Sequence, residues 1–193
     1  MKMEKLAGRR PRIVVLGGGL GGTIAAYEIA DAARGRAELT LVSDKSAFSF
    51  VPSNPWVAVR WREPEAIQIE LAPVMARKRI AFSSAGAKRL YPAENRIELN
   101  DGSSMAYDYL VIATGPDLAF DEVKGLGPDG HTVSICQTAH AQAAAQAFDR
   151  LLEKPGPVIV GAAQGASCFG PAYEFAMILD TELRRRKLRD GSR

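Results

Sequence analysis

The hydrophobic positions of the N-terminal region follow the pattern of a buried parallel sheet. Residues 12–16 (RIVVL) form a short, continuous run of branched apolar side chains, which is typical of a strand buried on both faces. An alanine-rich stretch from about Leu20 to Ala33 predicts a helix, and residues 38–42 (ELTLV) predict a second strand. Together these elements predict one βαβ unit, the start of a doubly wound α/β fold.

The middle of the chain has mixed patterns. Residues 47–61 combine aromatic side chains with two prolines and no clean period, which predicts a stiff loop. Residues 64–79 predict a helix with a break near Pro73. Short apolar runs within residues 80–99, followed by an Asn-Asp-Gly turn signal, predict a small β-meander. A further strand with branched apolar side chains is predicted over residues 107–113. Its last residue, Ala113, begins the sequence Ala-Thr-Gly.

The C-terminal third repeats the order of strand, glycine turn and helix. Residues 138–154 predict a connecting helix, residues 158–161 a strand, and residues 166–186 a second helix. We therefore predict an α/β fold, in which a Rossmann-like domain carries a small β-meander insertion and the opening strand and helix of a second Rossmann-like domain follow. The first domain is predicted over residues 1–125. The connector with its helix follows over residues 126–154, and the start of the second domain over residues 155–193.

Composition and charge narrow the possible functions. Two cysteines in 193 residues are too few for a disulfide-stapled secreted scaffold, which favours a reducing, cytoplasmic setting. Both ends of the chain are basic; solvated termini explain this, and attraction to an anionic membrane surface is the alternative. No interleaving of aromatic and basic residues supports nucleic-acid binding, and no apolar run is long enough to span a bilayer. With two histidines and no metal-ligand spacing, no metal site is expected.

A glycine-rich turn follows the first predicted strand. Residues 17–22 (GGGLGG) match the pattern G-x-G-x-x-G, in which Gly17, Gly19 and Gly22 would allow a tight turn, close approach of a pyrophosphate and close helix packing. Leu20 opens the helix, whose N-terminal N–H groups would face the phosphates. A purely structural glycine turn is the alternative. The residue after Gly22 is not lysine, which disfavours the phosphate loop of ATPases.

Two further positions bear on the choice of dinucleotide. The acidic residue that binds the ribose is expected at the end of the second strand, where Ser43 stands and Asp44 follows, so either side chain could take a ribose hydroxyl. The Ala-Thr-Gly strand end resembles that of flavoproteins with two dinucleotide-binding domains, in which this strand approaches the flavin nucleotide. Thr114 and Gly115 are therefore predicted to contact FAD, which becomes favoured over NAD in the first domain.

Each cysteine has a chemical and an ordinary interpretation. Cys168 lies near the start of a predicted helix, where the helix dipole lowers the pKa of a thiol; a buried packing cysteine is the alternative. Cys136 also precedes a helix, and the same alternatives hold. His140 follows Cys136 by four residues and Glu174 follows Cys168 by six. Taken alone, both residues are explained as ordinary surface side chains.

Several segments, in order and with suitable spacing, resemble sulfide:quinone oxidoreductases. They are residues 51–56 (VPSNPW), 107–116 (YDYLVIATGP), 134–136 (SIC) and 165–174 (GASCFGPAYE). The resemblance spans about residues 11–190, and the last segment is its most specific part. The glycine loop, in contrast, is shared with any flavoprotein related to the disulfide reductases.

The resemblance implies a flavoenzyme that oxidises sulfide, holds sulfur on cysteines and passes two electrons through FAD to a quinone. It implies that Cys168 is one of two cysteines flanking the flavin and that Cys136 is the family's additional cysteine. It further implies that His140 and Glu174 assist proton transfer. Members of this family are more than twice as long, so the partner cysteine, the quinone pocket and a membrane-binding C-terminal region are expected beyond Arg193. The whole protein is expected at the inner-membrane surface, as a homo-oligomer.

The sequence is also compatible with three other functions. A type II NADH:quinone oxidoreductase should carry an intact second glycine fingerprint, whereas Ala163 and Ala166 interrupt it here. A flavocytochrome sulfide dehydrogenase subunit should carry a secretion signal, and none is recognised. The alternative from another class is a non-catalytic remnant that binds FAD or another nucleotide.

Overall fold

The computed structural model describes residues 8–166 and 169–192. The chain divides into two compact units. The first unit comprises the described residues up to Phe48 together with Ile69–Asp117, and the second comprises Ser49–Gln68 together with the described residues from Leu118 onwards. This division groups residues 49–68 with the C-terminal half, across the predicted boundary at residue 125.

Most of the predicted strands and helices form, several with the predicted bounds. In chain order the elements are β1 (Arg12–Leu16), α1 (Leu20–Ala33), β2 (Glu38–Val42), β3 (Ala47–Ser49), α2 (Asn54–Ala58), β4 (Gln68–Glu70), α3 (Leu71–Arg77), β5 (Ala81–Ser83), β6 (Ala87–Tyr91), β7 (Arg96–Leu99), β8 (Ser104–Ala106), β9 (Tyr109–Ile112), α4 (Thr138–Glu153) and α5 (Gly170–Arg185).

A parallel sheet organises the first unit. Its strand order is β5-β2-β1-β9, and every neighbouring pair is parallel. The chain leaves β1 for β2 on one side and reaches β9 on the other, so the connections diverge at the carboxyl end of β1. In open α/β sheets a ligand binds at such a switch point. The parallel sheet confirms the predicted Rossmann-like fold.

Both faces of this sheet are covered, which explains the continuous apolar run in β1. Val15 packs on one face with Ala26 of α1 and Met75 of α3. Val14 and Leu16 pack on the opposite face with side chains of β7. The strands β6, β7 and β8 form the predicted antiparallel meander that covers this second face.

The second unit contains α2, α4 and α5. Its core includes Val59, Phe148, Leu179 and Leu183. The prediction of a loop over residues 47–61 is wrong in part, because α2 forms within it. The helix is compatible with the sequence because Pro55 lies in its first turn, where a missing N–H does no harm.

Three other predictions are corrected. Of residues 64–79, only those of α3 are α-helical; a 3-10 turn and β4 precede it. Residues 158–161 form no strand with any described residue: Val158 and Val160 pack on the core while the intervening side chain is exposed, but no neighbouring strand pairs with this segment. The helix expected from residue 166 begins at Gly170, because Pro171 suits a first turn rather than a helix interior.

Candidate functional site

At two positions of the glycine loop after β1, only glycine fits, because neighbouring backbone leaves no room for a Cβ. Gly17 has a φ of +108°, and a Cβ there would lie 2.2 Å from the carbonyl oxygen of Ala113. A Cβ on Gly22 would lie 1.8 Å from the carbonyl oxygen of Gly17. Both clashes are with backbone, which cannot move aside like a side chain. The glycines therefore allow β1, α1 and the end of β9 to approach one another closely.

The N-terminus of α1 is open to an anion. Gly19 is its N-cap and supplies no capping side chain, and the first turn contains no acidic residue. A Cβ on Gly19 would meet no atom within 4 Å, so the space beside the loop is open. Unpaired N–H groups and the positive end of the helix dipole favour a phosphate group at such a terminus. Leu20, the first residue of α1, is half exposed beside this space. These features fit a dinucleotide pyrophosphate.

The two candidates for the ribose contact differ in exposure. Ser43 is buried, and its Oγ accepts a hydrogen bond of 3.1 Å from the backbone N–H of Lys45. It also packs closely under Gly18, where a Cβ would lie 2.8 Å from the Ser43 Oγ. The adjacent Asp44 is exposed. Asp44 is therefore the better placed of the two to meet a ligand hydroxyl, while Ser43 shapes the turn.

The end of β9 lies beside the glycine loop. The backbone N–H of Ala113 donates to the carbonyl oxygen of Leu16 at 2.8 Å, so the strands stay paired up to the loop. Thr114 and Gly115 follow at this edge, and both are exposed. All eight residues predicted to bind the cofactor thus lie in the first unit, either in the turns that follow the carboxyl ends of β1, β2 and β9 or in the first turn of α1.

Three of the four residues predicted to handle sulfur or protons lie in the described part of the second unit. Cys136 is exposed and stands two residues before α4. His140 is in the first turn of α4, where its ring meets the edge of Phe120 at a centroid distance of 5.5 Å. The Nδ1 atom of His140 is buried and has no hydrogen-bond partner among the described residues. Glu174 is exposed on α5, and Cys168 lies outside the described residues.

Two buried polar residues of the second unit were not predicted. Asn54 of α2 is fully buried and hydrogen-bonds the segment that carries Cys136. Glu182 of α5 is also fully buried and accepts hydrogen bonds from Arg185, from Arg186 and from the indole N–H of Trp61. Hydrogen bonds from Arg185 above all lower the pKa of Glu182 to about 2. For Glu182 the local signal is a polar residue between the apolar positions Leu179 and Leu183 of a predicted helix, whereas Asn54 stands in a segment without a helical period.

The described residues hold neither a candidate metal cluster nor a candidate membrane span. Within residues 8–166 and 169–192, no three His, Cys, Asp or Glu side chains are grouped so as to hold a metal ion. No helix in that part of the chain has both the length and the apolar character needed to cross a membrane.

Comparison with known proteins decides the family. Residues 11–167 match the family model for pyridine nucleotide-disulphide oxidoreductases, which covers the glycine loop, the meander and the Ala-Thr-Gly strand end. The chain belongs to this family. Pyridine nucleotide-disulphide oxidoreductases of this kind are FAD-binding flavoproteins, which confirms the predicted cofactor and agrees with the fit of the glycine loop to a dinucleotide.

Individual relatives within the family indicate a narrower group of similar proteins. The chain is 41% identical to the sulfide-quinone reductase of Aquifex aeolicus over 177 residues, which is 92% of this chain and 40% of that protein. It is 25% identical to the mitochondrial sulfide:quinone oxidoreductase of Dictyostelium discoideum, over 94% of this chain and 41% of that protein. The crystal structure of the Aquifex aeolicus sulfide:quinone oxidoreductase superposes with a TM-score of 0.88 at 40% identity, covering 94% of this chain and 42% of that one. The chain spans about two fifths of the length of these relatives.

Proposed function

We propose that the chain carries the FAD-binding part of a sulfide:quinone oxidoreductase. The observation that supports this most strongly is the 41% identity to the Aquifex aeolicus sulfide-quinone reductase over 92% of the chain. The proposal specifies sulfide as electron donor and a quinone as acceptor. It also specifies a homo-oligomer that is cytoplasmic or, with the length found in the relatives, peripheral on the inner membrane.

The first unit holds the cofactor in this proposal. Gly17, Gly19 and Gly22 let the backbone approach the pyrophosphate, and Leu20 contributes one of the N–H groups at the start of α1. Asp44 accepts a ribose hydroxyl, and Ser43 keeps the turn in place. Thr114 and Gly115 contact the flavin side of the nucleotide. Bound FAD would accept the electron pair released when sulfide is oxidised.

The C-terminal part of the sequence supplies the residues that handle sulfur and protons in this proposal. Cys168 and Cys136 present thiols that can hold sulfane sulfur, since a thiolate is the form that attacks or accepts a sulfur atom. His140 can take up a proton at Nδ1, which is buried and unpaired among the described residues. Glu174, with its exposed carboxylate, can exchange protons with solvent. These roles follow from the resemblance to the family and from the chemistry of each group.

The proposal is tested by the visible absorption spectrum of the purified chain with FAD, recorded before and after sulfide is added under argon. We expect FAD to remain with the protein through gel filtration and its visible band to bleach on addition of sulfide. Bound flavin that dithionite reduces and sulfide does not would contradict sulfide as the donor. NADH serves as the matched donor control, because an NADH:quinone oxidoreductase would reverse the two results.

A cysteine variant tests the role of Cys168. In a version that carries the remaining length found in the relatives, Cys168→Ser should abolish sulfide-dependent quinone reduction and leave FAD bound. The measurement is the steady-state rate of quinone reduction beside the flavin content from the visible spectrum. A near-normal rate in the variant would show that Cys168 has no part in the reaction.

A further inference from the structure

One buried side chain holds the segment that carries Cys136. The Nδ2 atom of Asn54 donates to the carbonyl oxygen of Ile135 at 2.9 Å, and its Oδ1 atom accepts from the hydroxyl of Thr138 at 3.2 Å. Ile135 is the residue before the cysteine, and Thr138 is the first residue of α4. A single amide therefore bridges the chain on both sides of the thiol.

The backbone of Cys136 has an anchor of its own. Its N–H donates to the Oγ of Ser134 at 3.1 Å. The segment 134–138 is thus tied to Asn54 at two points and carries one internal hydrogen bond, while the cysteine itself stays exposed. This combination fixes where the thiol is presented without covering it.

The chemistry of the contact explains why asparagine stands at this position. A carbonyl oxygen can only accept and a hydroxyl can donate, so the side chain between them must offer one donor and one acceptor. Aspartate lacks the donor, and an aliphatic side chain lacks both. Because Asn54 is fully buried, water cannot replace a lost partner, and each bond is correspondingly expensive to break.

We propose that Asn54 is a positioning residue for Cys136. Its amide holds the chain at a fixed place on both sides of the thiol, so that the sulfur is offered to a small substrate from an ordered backbone. This inference rests on the proposed function, in which Cys136 holds sulfur. Sequence similarity alone gives no role to Asn54, the asparagine of the VPSNPW segment. The hydrogen bonds of its amide supply one.

The test places a nitroxide spin label on Cys136 in a Cys168→Ser background, where Cys136 is the only thiol. Thr138→Val removes the hydroxyl that Asn54 accepts from, whereas Thr138→Ser retains it. We expect the valine variant to raise the ratio of mobile to immobile component in the electron paramagnetic resonance spectrum about fivefold, the effect of losing one hydrogen bond. The serine variant should match the parent. Asn54→Ala removes both bonds and should raise this ratio further.

A second label position separates positioning from general loosening. With both cysteines replaced by serine and a label on Glu153→Cys, an exposed site at the other end of α4, Thr138→Val should leave the spectrum unchanged. Equal spectra of the valine and serine variants at Cys136, or an equal change at both label positions, would overturn the proposal. The experiment uses neither FAD nor sulfide. Its failure is therefore distinct from that of the proposed function, which fails when bound flavin is not reduced by sulfide.

Discussion

The two units of the chain form their candidate sites in different ways. In the first unit the site is made of backbone: glycines at a turn, an uncapped helix start and the end of a neighbouring strand. In the second unit the segment that carries Cys136 is held by one buried polar side chain, Asn54, which reaches across 81 and 84 positions to its two partners. A glycine turn and a helix start are specified by local sequence, whereas a segment held by a side chain depends on contacts between distant parts of the chain.

The largest expected loss of stability comes from adding a Cβ at Gly22. Gly22→Ala should destabilise the first unit by about 3 kcal/mol or more, because the new Cβ would lie 1.8 Å from a backbone oxygen. Gly21→Ala is the matched control, since a Cβ there meets nothing within 4 Å and alanine favours a helix by about 0.5–1 kcal/mol. Urea unfolding followed by circular dichroism measures both. Equal unfolding midpoints for the two variants would contradict the close approach of loop and helix.

The next largest loss of stability is expected at Glu182, the buried carboxylate of the second unit. Glu182→Gln should lower the free energy of unfolding at pH 7 by about 2 kcal/mol, because it leaves Arg185, Arg186 and Trp61 without an anionic acceptor. The folded-state pKa is about 2 against an ordinary value of 4.5, so this stability is present above pH 4.5 and is lost as the pH falls towards 2.

The pH dependence of the urea midpoint shows whether the Glu182 carboxylate stabilises the unit. Urea midpoints followed by tryptophan fluorescence should fall between pH 4.5 and 2 in the parent, and fall less steeply in Glu182→Gln. Glu174→Gln removes an exposed carboxylate of the same helix and should match the parent. If Glu182→Gln and the parent lose stability in parallel over this range, the buried carboxylate does not stabilise the unit.

A smaller effect is expected at the start of the parallel sheet. Asp108 accepts two hydrogen bonds of 2.7 Å from Arg9 and one of 2.7 Å from the backbone N–H of Arg12. The Arg9 bonds above all hold the pKa of Asp108 well below its usual 3.8. Asp108→Asn should cost about 1 kcal/mol at pH 7, since Arg9 is partly exposed and its charge is screened.

The stabilisation by Asp108 should also depend on pH. The contribution of Asp108 should be present above pH 3.8 and disappear below it, as the carboxylate protonates. Asp117→Asn, at an exposed position of the same unit, should leave the urea midpoint unchanged. An effect of Asp108→Asn as large as that of Glu182→Gln would show that burial does not separate the two carboxylates.

The same contrast explains how far the sequence predicts the fold and the site. The bounds of β1, α1 and β2 follow from local periodicity and from glycine, and they are predicted residue for residue. The strand expected at residues 158–161 is not formed because a strand needs a paired neighbour, which no local pattern guarantees. The partnership of Glu182 with Trp61, 121 positions away, exists only once the chain has folded.

The most direct test of the account is the affinity of the chain for FAD in two glycine variants. FAD should bind the parent and Gly21→Ala equally well, as measured by titration of flavin fluorescence. Gly19→Ala should fold normally, because its Cβ meets no protein atom, but should bind FAD at least about tenfold more weakly, because the methyl group occupies the space of the pyrophosphate. Equal affinity of Gly19→Ala and the parent would show that FAD does not sit against this loop.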